Sequence, residues 1–292
     1  MGPRIAADVA LARLSFAFLL DEIANGVADL APLDVLLVLA INQANIAPLT
    51  RDPAARARYG QLDAPARDDE RRRVSINAIA GSLGLPFETA RRRIGKLAAA
   101  GVCDISPEGV LVPASFLTSP GYLGSVFSAH ERLRGFYLEL QAQGLLGPLP
   151  PPNYGLEGSV PVRAAARLLS DYVLRASEGL LRTAGNVISA MILTALLAAS
   201  LQGSDGRPKA QRAFVRKLKL PGETVRRHMA QLVEAGLCER GASGVAIPGK
   251  ALEAAPFSRL FADDAANVQR LMAGLSERGV ILAWTTGGAL DG

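Results

Sequence analysis

Apolar stretches separated by clusters of turn-forming residues run through this chain, and most have the length and spacing of helices. Residues 9–28 predict one helix, and Pro32 and Asp34 open a second over residues 35–45. A short helix is expected over residues 76–83. It is followed by the turn Gly84-Leu85-Pro86 and a longer helix to Ala100, which Gly101 ends. Residues 102–105 and 110–112 read as two short strands around Ser106-Pro107-Glu108-Gly109, and residues 126–143 as an amphipathic helix. The order then recurs: helices over 163–182, 187–201 and 212–218, Pro221, a helix to Ala235, Gly236, strands around 241–244, and a helix over 257–278.

The recurrence is also literal. Leu85-Pro86-Phe87-Glu88-Thr89-Ala90-Arg91-Arg92 returns 135 residues later as Leu220-Pro221-Gly222-Glu223-Thr224-Val225-Arg226-Arg227. Between Leu85 and Cys103, ten of nineteen positions are identical to their partners, ending on Ala235, Gly236 and Cys238. A repeat of this period fixes architecture before other reasoning applies. It divides the 292 residues into a first repeat over 1–145, a proline-rich linker over 146–160 read as stiff and extended, and a second repeat over 161–292. The upstream helices match at a larger offset. The first repeat therefore carries about 17 extra residues, placed in the Arg-, Asp- and Pro-rich segment 47–73 and expected to be a mobile surface loop.

Residues 76–113 and 213–248 resemble winged-helix domains of bacterial transcription factors, the GntR, MarR and IclR-type group, over about a quarter of the chain. Thr89-Ala90-Arg91 and Thr224-Val225-Arg226 are similar to the Thr-Val-Arg opening of GntR recognition helices. The Ser-Arg pair preceding that motif in the family is replaced here by Pro86-Phe87 and Pro221-Gly222, and no GntR effector domain follows. The resemblance implies a mainly α fold with small β-wings. It would be an internally duplicated winged helix-turn-helix domain, with cores at about 74–113 and 210–248 flanked by N- and C-terminal helices.

On a helical wheel, Ala90, Ile94 and Leu97 share one side of the repeated helix, as Val225, Met229 and Leu232 do in the second copy. Arg92 and Arg227 project opposite, flanked by Thr89/Thr224, Arg91/Arg226 and Lys96/Gln231. Arginine and threonine early in a helix reach guanine edges or phosphates, so this face suits a major groove. Glu88 and Glu223 are read first as capping charges that stabilise the helix N-terminus through its dipole, with a hydrogen bond accepted from cytosine as the alternative. Arg93 becomes His228, Lys96 becomes Gln231 and Ala99 becomes Glu234, so non-identical half-sites are expected, with His228 at the DNA. Phosphate contacts are assigned to Arg71, Arg72 and Arg73 in the first repeat and to Arg212, Arg216 and Lys217 in the second. The wing tips, Ser106-Pro107-Glu108 and Ala242-Ser243, lack basic residues, with only Arg240 nearby, and should contribute little.

The net charge of +5 with pI near 9.5 is modest, and its placement carries more than its size. Cys103 and Cys238 occupy equivalent places and read as small buried apolar residues; sparse unpaired thiols suit a reducing cytoplasm. Residues 9–20 carry Arg13 and run into Asp21-Glu22, unlike a signal peptide, and residues 187–201 are shorter than a membrane span. His130 and His228 lack partners at metal spacing and read as surface residues. Asp68-Asp69-Glu70 and Asp263-Asp264 are better explained by solvation and capping than by acid–base work, and Gly287-Gly288 opens no phosphate loop.

The expectation is a non-enzymatic, cofactor-free, sequence-specific regulator of transcription that binds double-stranded DNA in the cytoplasm, at the nucleoid. No membrane is involved, and an effector is left open. Two alternatives stand beside it: a plasmid-type replication initiator, and a protein-interaction subunit of a chromosome-organising complex. The helices closing each repeat either join the two halves or form a homodimer interface.

Overall fold

Helix accounts for 72% of the chain and strand for 5% in the computed structural model, which describes residues 3–27, 29–51, 58–59, 65–153, 161–201, 215–241 and 244–286. The first half contains α1 (Pro3–Asn25), α2 (Pro32–Arg51), α3 (Ile76–Ser82), α4 (Phe87–Ala99), the hairpin strands β1 (Asp104–Ser106) and β2 (Gly109–Leu111), α5 (Ala114–Leu117) and α6 (Pro120–Ala142). The second half contains α7 (Val162–Ala184), α8 (Val187–Leu201), α9 (Gly222–Glu234), β3 (Glu239–Gly241), β4 (Gly244–Ala246), α10 (Gly249–Leu252), α11 (Phe257–Glu277) and α12 (Val280–Thr286).

The sequence repeat is a repeat of structure. From α4 to α5, every element boundary recurs 135 residues later in α9 to α10. The hairpins also share a register: Ile105 faces Val110 as Arg240 faces Val245. Both repeated helices end the same way. Gly101 and Gly236 adopt positive φ (74° and 72°). The next amide donates back to Leu97 or Leu232 at 2.9 and 3.0 Å, the double closure that ends a helix on glycine.

In the first half the hairpin gains a third partner. Val74 and Val110 exchange backbone hydrogen bonds (3.1 and 2.8 Å). A Cβ on the neighbouring Gly109 (φ 129°) would lie 2.6 Å from the Val74 carbonyl oxygen, so only glycine fits there. Buried Asn45, on α2, ties this edge down. Its Nδ2 donates to the carbonyls of Arg72 (2.7 Å) and Val110 (3.0 Å), and its Oδ1 accepts from the Val112 amide (3.1 Å).

The core runs through both halves. Leu19, Leu20 and Ile23 of α1 join α8, which is buried around most of its circumference, while α11 packs on α7 and on α1. Phe16 meets Phe261 at 5.9 Å between ring centroids, and Phe18 stacks on Phe136 at 4.3 Å. The helices closing each repeat therefore join the halves within the chain: α11 packs against α1, and α6 against α7. Two buried acids lie in this core. Glu22 is paired with Arg132 (2.5 Å), and Asp264 accepts from Ser15 Oγ.

Two expectations change. The segment 47–73 is not a free loop where it is described. Residues 47–51 extend α2, and residues 65–73 dock through buried Ala66 and Arg71 and the Arg72 amide, which donates to Asn45 O at 2.9 Å. The described part of the linker, residues 146–153, is a strap on α11: Gln269 bonds the Gly147 amide (3.0 Å) and the Pro148 carbonyl (3.1 Å), and Ser276 Oγ donates to Pro150 O (2.7 Å). Among the described residues one helix, α2, is long and apolar enough to cross a membrane, and Leu33, Val35, Leu36, Leu37 and Ile41 commit much of its apolar surface to the core.

Candidate nucleic-acid interface

α4 and α9 start at Pro86 and Pro221, whose missing amides cost nothing at a helix start. Ala90, Ile94 and Leu97 are buried in α4, while Leu232 is buried and Val225 and Met229 are partly buried in α9. The predicted inner stripe is therefore in place. On the opposite side Arg91, Arg92, Gly95 and Lys96 are exposed in α4, and Arg226, Arg227 and Gln231 in α9; Thr89 and Thr224 are half-buried at the edge. Phe87, 45% exposed, leads α4 where α9 has Gly222. An exposed aromatic off the apolar stripe was the signal for it, and such a ring can meet a thymine methyl.

Glu88 and Glu223 lie in the first turn of their helices, where a negative charge suits the helix dipole. Each carboxylate also pairs with the arginine one turn on, Glu88 with Arg91 and Glu223 with Arg226, both at 2.8 Å. The Arg91 hydrogen bond holds the Glu88 carboxyl below its ordinary pKa and the guanidinium above its own. Arg91 and Arg226 are thus partly neutralised. Among the described residues Arg92 and Arg227 have no carboxylate partner, which leaves one unneutralised guanidinium at the centre of each outer face.

His228 turns inward. It is buried, its Nδ1 lies 2.9 Å from Ser189 Oγ on α8, and desolvation, then the Arg227 charge, lowers its pKa. Its equivalent Arg93 also points into the protein, bonding Asp34 at 2.8 Å. The Arg93-to-His228 change therefore alters a tether between helices and not a base contact. Lys96/Gln231 and Ala99/Glu234 remain as exposed differences.

The three arginines 71–73 separate. Arg71, with its side chain 1% exposed, donates to Val112 O (2.8 Å) and pairs with Asp68, so it is closed to a phosphate. Arg73 is half-buried against β1, paired with Asp104. Arg72 is exposed beside the hairpin. In the second half Arg216 is exposed, Lys217 pairs with Asp21 (2.5 Å), and Arg212 lies outside the described residues, as does the tip Ala242-Ser243. At the first hairpin tip Ser106 Oγ donates to Glu108 (2.5 Å), which leaves an acidic and not a basic wing.

Among the described residues no three His, Cys, Asp or Glu side chains are placed to hold a metal. His130 is buried, against expectation, where its Nε2 accepts from Trp284 Nε1 at 2.8 Å; desolvation lowers its pKa. Both cysteines are buried, and burial pushes their thiols up to about 12, so neither is a ready nucleophile. Comparison with protein-family models, curated proteins and solved structures returned no match, so the functional reading rests on the residues and their arrangement.

Proposed function

We propose that this chain is a sequence-specific double-stranded DNA-binding regulator of transcription, in which two winged helix-turn-helix units act as a covalent pseudo-dimer. In each unit α2 or α8 is the supporting helix, α4 or α9 the recognition helix, and the following hairpin the wing. The observation that carries the reading is the duplicated outer face. Two helices of identical length, each following a turn and preceding a hairpin of identical register, expose Arg-Arg after threonine, and among the described residues the second arginine has no carboxylate partner.

Thr89, Arg91, Arg92 and Lys96 would face one half-site, and Thr224, Arg226 and Arg227 the other, with Arg72 and Arg216 on flanking phosphates. Arginine reads guanine through a bidentate bond, which suits the unneutralised Arg92 and Arg227 best. Half-sites one helical turn apart, about 34–36 Å, are the geometric expectation for paired recognition helices. Such a regulator acts at the nucleoid and needs neither cofactor nor catalytic group. Arg92→Ala with Arg227→Ala tests the reading in an anisotropy assay. Selective binding should disappear, and unchanged selectivity would refute the assignment.

A further inference from the structure

A cleft of about 760 Å³ lies between the halves, where α2 and α3 face α7 and the start of α8. Its walls are mostly apolar, with Ala40, Ala44, Val74 and Ile79 on one side and Leu174 and Leu181 on the other. Most polar side chains of the lining are already engaged. Arg175 pairs with Asp171 and Arg182 with Glu178, both at 2.8 Å, and Ser82 Oγ donates to Ile79 O at 2.9 Å. Each cation of the rim is thus answered by a carboxylate one turn away on α7, which suits an uncharged ligand better than an ionic one. Ser177 is the exception. It stands in the α7 wall, 9% exposed, and among the described residues its Oγ has no hydrogen-bond partner. A serine or threonine inside a helix can return its hydroxyl to the carbonyl four residues back. Ser170 and Thr183 do so on this same helix, to Ala166 O (2.8 Å) and Gly179 O (3.0 Å). A buried hydroxyl without a partner is destabilising until something supplies one.

We propose that this cleft binds a small, uncharged, mainly apolar molecule, a ring system carrying one hydrogen-bonding oxygen that pairs with the Ser177 hydroxyl. The volume falls within the range of roughly 300–1,000 Å³ that small-molecule pockets occupy, and an apolar lining with few polar groups to fix orientation is the pattern such sites share. The small side chains of Ala40 and Ala44 leave room for a ring to lie against α2. A molecule here would touch both halves of the chain. The turn before α4 already rests on α7, since a Cβ at Gly84 would lie 2.9 Å from Leu181 Cδ1. A bound ligand is therefore expected to brace that junction and raise thermal stability. This inference does not depend on DNA binding.

The test uses two probes of nearly the same shape, 1-naphthol and naphthalene, titrated into the full-length protein and followed by calorimetry and thermal unfolding. Both should bind saturably and raise Tm, with 1-naphthol about fivefold tighter, the gain expected from one neutral hydrogen bond. Ser177→Ala should erase that preference while binding naphthalene normally. Without a probe it should melt no lower than the unsubstituted protein, because the hydroxyl it removes had no partner. Ala78→Phe places a ring at an exposed position of the α3 wall and should weaken both probes about tenfold or more. 1-Naphthoate, with a carboxylate in place of the hydroxyl, should bind less tightly than 1-naphthol. The Arg92→Ala, Arg227→Ala protein should bind both neutral probes normally, which separates this cleft from the DNA face. The proposal would be overturned by an absence of saturable binding, by binding that Ala78→Phe leaves intact, or by a preference for 1-naphthol that survives Ser177→Ala. Tighter binding of 1-naphthoate would overturn it as well.

Discussion

Arg93 on α4 donates to Asp34 at the head of α2 across 2.8 Å, locking α4 to the helix beneath it. The second half reaches the same end with different chemistry: His228 meets Ser189 at 2.9 Å, and Asn186, the counterpart of Asp34, holds Ser189 at 3.0 Å. The second tether also borders the arginine face, since His228 Nε2 lies 3.4 Å from Arg227 Nη2.

His228→Ala is expected to lower stability while leaving the preferred second half-site unchanged. The buried Ser189 hydroxyl loses a partner, a penalty of about 1–3 kcal/mol. Thermal unfolding and site selection on the same protein check both halves of this expectation. A changed base preference would return His228 to the DNA.

Arg92→Ala and Arg227→Ala should each cost about 1–3 kcal/mol of discrimination if the side chain reads a guanine. Both positions are solvent-exposed, so the folded state should be nearly unaffected. Competition anisotropy against single-base variants of the selected site measures the loss one half-site at a time.

Glu88→Gln with Glu223→Gln should tighten DNA binding and steepen its salt dependence. The substitutions release Arg91 and Arg226 and remove two negative charges from the proposed DNA-facing surface. The slope of log K against log salt is the readout, and an unchanged slope would count against contact between these helix starts and DNA.

Asp264 makes stability depend on pH. It is buried beside the Ser15 hydroxyl, which donates to it, and the Tyr172 hydroxyl. Burial pushes its carboxyl up to about 7 from an ordinary 3.8. The folded state thus holds this proton more tightly than the unfolded chain. Its stabilising contribution is complete below the unfolded pKa and is lost as pH rises through about 7. Glu22 is also raised, mainly by burial, and acts in the same direction. Asp264→Asn should flatten the decline between those pH values and leave the protein more stable than the parent at pH 8 by a few kcal/mol, on the order set by ~1.4 kcal/mol per pH unit. Urea unfolding across pH measures it.

Local patterns located much of this fold. The apolar stripe Ala90, Ile94, Leu97 and the stop at Gly101 define α4, and Ser119-Pro120 starts α6, with the Ser119 hydroxyl accepting from the Tyr122 amide, six residues before the apolar pattern alone would begin it. The exposed face of α4 was legible for the same reason, since a wheel separates Arg92 from Ile94. What local patterns do not encode is which long-range partner claims a polar side chain. Arg71 belongs to Val112 and His228 to Ser189, 41 and 39 residues apart, and the three bonds of Asn45 depend on how α2 docks on the hairpin. A run of three arginines looks uniform until one closes over a carbonyl.

The most direct test is selection of bound genomic fragments by the purified protein, with affinity titrated against salt. The account predicts enrichment of a bipartite site with half-sites about one helical turn apart, and affinity that falls steeply as salt rises. Absence of binding at low salt would contradict it and make the paired arginine faces a surface for something other than DNA.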